Sequence, residues 1–189
     1  MTMDRRAFLL TASAAGLATP VMAATPTTEA FTGLVGGAAV DLERQVAAFK
    51  QQMKAMGYGG ADVFYELKGA ASPVRFTAAS APAFLIVAPA DQDPQTRFGL
   101  FSLTPVKNTR RLTTGKVNPL GYGTRSTKNQ AAVAFTATRY GQDAFQLTPD
   151  APLPAGEYGL AIAPSLGNNS WGWGGRGGGN QPVFAFGVD

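Results

Sequence analysis

The spacing of hydrophobic residues along this chain changes once, near Gly60. Before that point Leu42, Val46, Phe49, Met53 and Met56 recur at intervals of four, three, four and three, which lines one face of an α-helix. Asp41 and Glu43 stand in the first turn of that segment, Lys50 and Lys54 stand near its end, and Gly57 is placed to cap it. The pattern predicts one N-terminal amphipathic helix over residues 38–57, preceded by a flexible leader over 24–37. Its apolar seam covers only two heptads, too few for a lone coiled coil, so it packs either on its own domain or on a partner.

After Gly60 the period becomes two. Val63-Phe64-Tyr65-Glu66-Leu67 alternates, Pro73-Val74-Arg75-Phe76 follows a turn, and Phe84-Leu85-Ile86-Val87 is a continuous apolar run suited to a strand covered on both faces. Residues 97–103, 133–136, 144–147, 158–162 and 183–188 read as further strands, separated by Gly, Pro and Asp turns. No helical stretch lies between them, so crossover units are not expected. The reading is a mainly β domain over 58–189, an antiparallel sandwich of about eight strands.

Within it, Phe145-Gln146-Leu147-Thr148-Pro149 and then Leu153-Pro154-Ala155-Gly156-Glu157-Tyr158-Gly159-Leu160 resemble the E–F corner of exported bacterial immunoglobulin-like domains. The resemblance implies an immunoglobulin-like β-sandwich in which the Tyr158 hydroxyl bonds back to upstream backbone and pins a Greek-key arch. It implies little about activity, because such sandwiches host adhesion, chaperoning, carbohydrate binding and structural spacing alike. No Cys pair frames this region, so antibody-type domains are a poor match.

Composition narrows the chemistry. The chain has 23 Gly, 13 Pro, no Cys and no His. Without Cys there is no disulfide, thiol nucleophile or thiolate-bound metal, and without His the commonest general base and metal ligand are gone. No cofactor is expected. The sole calcium-like grouping is Asp91-Gln92-Asp93, which an Asp turn before a strand explains equally well.

At the N-terminus, Asp4-Arg5-Arg6-Ala7-Phe8-Leu9-Leu10 resembles the twin-arginine export signal. Arg5, Arg6, Phe8 and Leu9 match, whereas Asp4 and Leu10 replace the hydroxyl and lysine residues common there. The mildly apolar run from Ala7 to Ala18 is shorter than the roughly 20 residues a spanning helix needs. Pro20 breaks it, and Val21-Met22-Ala23 offers small residues for cleavage. Residues 1–23 are therefore expected to be a signal peptide, and the mature protein periplasmic or otherwise exported. No second run reaches transmembrane length.

Two stretches of the mature chain invite a partner. Between Asp93 and Asp143 there are Arg97, Lys107, Arg110, Arg111, Lys116, Arg125, Lys128 and Arg139 and no acid, although the formal net charge of the whole chain is only +4. Arg110, Arg111, Lys116, Arg125 and Lys128 are candidates for holding an anionic envelope polymer if they share a face. Scattered over strand faces and edges, they are ordinary solvated surface. Nucleic acid is the least favoured polyanion, since no recognition motif is present. The second stretch, Asn168 to Asn180, contains both tryptophans among glycines. Trp171, Trp173 and Arg176 offer flat and cationic surface for a protein or glycan partner, or the rings fold back to cap the domain, or the stretch is a plain insertion.

Catalytic readings have less to work with. A glycosidase needs two converging carboxyl groups, and Glu66 and Glu157 have no second acid beside them in sequence. Ser126-Thr127-Lys128 lacks the framing of a Ser–Lys hydrolase. The sequence favours an exported non-enzymatic binding or structural module of the cell envelope. The alternatives are a carboxylate-dependent hydrolase of envelope polysaccharide and a polyanion-binding surface protein.

Overall fold

Alternating side chains and short turns produce strands throughout the computed structural model, which describes residues 31–53, 60–88, 93–117, 124–125, 131–162 and 180–189. The strands are β1 (Phe31–Val35), β2 (Ala38–Asp41), β3 (Glu43–Met53), β4 (Ala61–Lys68), β5 (Arg75–Phe76), β6 (Ala83–Val87) and β7 (Phe98–Val106). They continue with β8 (Thr109–Val117), β9 (Thr124–Arg125), β10 (Ala132–Val133), β11 (Phe135–Arg139), β12 (Ala144–Pro149), β13 (Gly156–Ile162) and β14 (Gln181–Val188). One four-residue helix, α1 (Pro94–Arg97), precedes β7; Asp93 caps it by accepting from the Gln95 amide.

Two antiparallel layers result. The first is a five-stranded sheet in the order β11-β12-β6-β1-β2. The second runs β10-β7-β13-β14-β3-β4-β8-β9, and β7 also pairs with β8 through Thr104↔Arg111, Pro105↔Arg110 and Val106↔Thr109. That last seam joins β7, β13, β14, β3, β4 and β8 into a closed six-stranded barrel, antiparallel at every step. Mainly β, antiparallel architecture is as expected. The β7–β8 hairpin folds one layer back on itself as a barrel, with the short β10 and β9 at the ends of its strand order.

The expected helix over 38–57 is corrected to strand. Residues 38–41 and 43–53 form β2 and β3, joined at Leu42, and residues 54–59, with Lys54, Met56 and Gly57, lie outside the described residues. Glu, Arg, Gln, Ala and Lys favour a helix locally, but β3 is the strand that bridges β14 and β4, and tertiary pairing overrides the weak local preference. The apparent seam disperses. Leu42 enters the core between the layers and Phe49 turns into the barrel, whereas Val46 and Met53 are 61% and 71% exposed. Part of the expected leader is also strand, since β1 starts at Phe31.

Period-two patterning puts two cores side by side. On β14, Phe184, Phe186 and Val188 face the sheet while Val183 and Ala185 face the barrel axis, so the whole strand reads as one apolar run. Between the layers, Phe31, Phe84, Ile86 and Leu147 from the sheet meet Phe98, Leu100, Tyr158, Leu160 and Phe186 from the barrel. Inside the barrel, Tyr65, Leu67, Phe101, Leu103 and Leu112 fill a narrow space alongside Ala47, Ala161 and Ala185. A six-stranded barrel is tight. At Gly159 a Cβ would lie 2.8 Å from Val183 Cγ1, so only glycine fits there.

The corner expected at Tyr158 is present: its hydroxyl donates to the Pro154 carbonyl at 2.7 Å, and its ring stacks on Phe186.

Candidate functional site

Charged residues gather at the end of the barrel where β3, β8 and β13 begin and β4, β7 and β14 finish. The alternation that points Leu112 and Thr114 inward on β8 also points Arg110 inward, and its side chain is 0% exposed. The same parity on β13 and β3 brings Glu157 and Glu43 to it. Arg110 Nη2 donates to both Glu43 carboxylate oxygens, at 2.9 and 3.1 Å, and Nη1 to Glu157 Oε2 at 3.4 Å. Nε donates to the Gly69 carbonyl at 3.1 Å and Nη2 also to the Lys68 carbonyl at 3.0 Å.

Residues 69–76 then cross this end as a strap. The Ser72 amide donates to Glu157 Oε2 at 2.8 Å, and Arg75 pairs with both Glu157 and Asp189. β5, at the end of the strap, lies parallel to β14, and the Arg75 guanidinium occupies the space beside Gly187 that a side chain there would take. Hydrogen bonding to Asp189 first, then to Glu157, raises the Arg75 guanidinium further above its ordinary value. The reciprocal bond holds the Asp189 carboxyl below the usual carboxylate range. No buried side-chain nitrogen or oxygen lacks a hydrogen-bond partner among the described residues.

A second cluster lies on the outside of β3, β4 and β8. Glu66 accepts from Lys50 and from Arg111 Nε (3.1 Å), while Arg111 Nη1 donates to Gln52 at 2.9 Å. The Arg111 guanidinium carbon sits 4.3 Å from the centroid of the Phe64 ring, which is 4% exposed although it faces outward. The Lys50 hydrogen bond, ahead of the Arg111 contribution, lowers the Glu66 carboxyl below its ordinary value.

The residues singled out from sequence therefore separate. Arg110 is corrected from a surface ligand to an interior ion-pair partner, because neighbours in a strand point to opposite faces. Arg111 remains on the outer wall. Lys116 stands opposite Arg125 in the β8–β9 hairpin, at the end of the barrel away from Arg110. Lys128, Trp171, Trp173 and Arg176 lie outside the described residues, as do Arg5 and Arg6. β13 ends and β14 begins at that same far end, so the strands flanking residues 163–179 point the way of the β8–β9 hairpin.

No family model, curated protein or solved structure matches the chain. Among the described residues no three His, Cys, Asp or Glu converge to hold a metal ion, and no helix is long and apolar enough to cross a membrane.

Sequence reasoning missed Glu43, Arg75, Ser72 and Asp189 as one network. Their partners are distant along the chain, Glu43 from Arg110 by 67 residues and Arg75 from Asp189 by 114. The signal available was parity: with Leu112 in the core, Arg110 must point inward.

Proposed function

We propose that this chain is an exported, non-enzymatic binding or structural module of the bacterial cell envelope. The supporting observation is how Glu43 and Glu157 are held. Folding brings both to the buried Arg110 guanidinium, which fixes them at the end of the barrel crossed by the 69–76 strap. A carboxyl acting as acid or base on a polymer must reach the scissile bond and exchange a proton with it. These two face a guanidinium.

The contacts in this reading are Trp171, Trp173 and Arg176, offered to a protein or glycan. Export rests on Arg5 and Arg6 and the apolar run behind them. The Tyr158–Pro154 corner supports kinship with exported immunoglobulin-like domains at the level of that local device.

The test is incubation of the purified processed protein with isolated cell envelope, followed by sedimentation and a reducing-sugar assay. Retention in the pellet without release of soluble saccharide is expected, and Trp171→Ala with Trp173→Ala should abolish retention at unchanged thermal stability. Saccharide release by the wild-type protein, or its failure to sediment, would overturn the reading.

A further inference from the structure

The outer surface of the barrel has two unlike halves. Strands β7, β13 and β14 are covered by the five-stranded sheet, whereas the outward side chains of β3, β4 and β8 include the exposed Arg44, Val46, Lys50, Gln52 and Lys68 beside the buried Phe64. Register arranges that wall in rows about 4.8 Å apart across strands: Ala48 beside Glu66 beside Arg111, and Lys50 beside Phe64 beside Thr113.

At the foot of the wall, Gln45 exchanges two hydrogen bonds with the Lys68 backbone, at 2.9 and 3.0 Å. The Gly69 amide donates to the Asn108 carbonyl at 3.0 Å. These contacts tie β3 to β4 and β4 to the β7–β8 turn, and Arg44, Lys68 and Lys107 stand at or next to the bonded residues on those three segments. All three are exposed, and none has an acidic partner among the described residues. With Lys50 and Arg111 they outweigh the wall's two acids, Asp62 and Glu66. The opposite layer has the reverse balance, with Asp41, Asp93, Asp143 and Asp150 against Arg97 and Arg139.

We infer that the β3–β4–β8 wall is a docking surface for an acidic polysaccharide, an inference that rests on the binding-module reading and assigns it a ligand. Charge complementarity is the first argument: among the described residues, exposed positive charge is concentrated on this face, where it attracts a polyanion. Preorganisation is the second. Glu66, Gln52 and Phe64 fix the Arg111 guanidinium in orientation, so little rotamer freedom remains to be lost on binding. The chemistry of the wall selects among polyanions. Single-stranded nucleic acid would want exposed aromatic rings to stack on, and Phe64 is covered. A membrane surface would want an exposed apolar cluster, and among the described residues these strands expose two large hydrophobics, Val46 and Met53, seven residues apart on β3.

The probe is alginate, a uronic-acid polymer, titrated into the processed protein across a salt series. Binding should weaken steeply with salt. Arg44→Gln with Lys68→Gln should weaken it about ten-fold, with a shallower salt slope and an unchanged melting temperature. Arg97→Gln with Arg139→Gln removes the same charge from the other layer and should change affinity little. Equal loss from both pairs, salt-independent binding, or tighter binding to duplex DNA or phosphatidylglycerol vesicles would overturn the assignment. A protein retained by envelope that ignores alginate refutes the wall and leaves the module reading standing. One that envelope does not retain refutes the module reading itself.

Discussion

Removing the Arg110 guanidinium should be among the most damaging single changes this fold can suffer. Arg110→Ala leaves Glu43 and Glu157 facing each other at the end of the barrel with no cation between them. It also strips the Lys68 and Gly69 carbonyls of the donor that ties the strap to β8. Arg75 still pairs with Glu157 from the outer side, so the larger part of the uncompensated charge falls on Glu43. Breaking a buried ion pair from one side costs about 3–5 kcal/mol. At about 2–4 °C per kcal/mol for a domain of this size, the melting temperature should drop by about 6–20 °C.

A cavity left by the side chain would lower stability as well, so Arg110→Ala alone does not isolate electrostatics. The companion variant Arg110→Met keeps most of the volume and removes the charge. Combined with Glu43→Leu, it restores charge balance around the pair that Arg75 and Glu157 still form. Replacing a buried ion pair by apolar groups of similar size is often neutral or better, so this double variant should regain most of what Arg110→Met loses. Far-UV circular dichroism followed through urea and thermal unfolding measures all three. If Arg110→Ala costs less than about 1 kcal/mol, the range of a surface ion pair, the interior placement of Arg110 is wrong. If the double variant is less stable than Arg110→Met, the network contributes more than the neutralisation of Glu43.

Two further outcomes follow from the same geometry. Tyr158→Phe deletes the 2.7 Å bond to the Pro154 carbonyl and should cost about 0.5–1.5 kcal/mol in urea unfolding, with the ring stack on Phe186 retained; an unchanged midpoint would show that the corner is not held by the hydroxyl. Asp189 titrates lower in the folded chain than unfolded, so its contribution is present above the ordinary carboxylate range and is lost as pH falls through the lowered value. Arg75→Ala should return the Asp189 carboxyl to its ordinary titration range in a carbon-detected NMR titration, and an unshifted midpoint would refute the pairing.

How much of this was legible in the sequence depends on which side of a strand had to be apolar. β13 and β14 were readable because both their faces meet hydrophobic cores, so Val183 to Val188 is a nearly continuous apolar run. β6 was readable because Phe84 to Val87 is apolar throughout, although Phe84 and Ile86 alone face the barrel. The Tyr158 corner was readable because it is local, four residues from donor to acceptor. β3 and β8 were not. Their inward positions near the barrel end are Glu43, Gln45 and Arg110, and β3 places Val46 outside, which inverts the usual polarity of a strand. Read without partners, the Glu-, Gln- and Ala-rich β3 segment matches a helix better than a strand.

The barrel itself depends on a feature no hydrophobic period encodes. The β7–β8 seam spans three residue pairs, from Thr104↔Arg111 to Val106↔Thr109. Its side chains are Thr, Pro, Val and Arg, which announce neither a core strand nor an edge. Closure sets Arg110 inward against two carboxylates supplied by other strands, while Arg111, on the next residue, turns out to Glu66. A run of cations that looks like one patch in sequence is thereby divided between an interior lock and an exterior wall. The charge available to an outside ligand must then be counted by face. Counted that way, Arg44, Lys68 and Lys107, drawn from three parts of the chain, belong to the wall, and Arg110 does not.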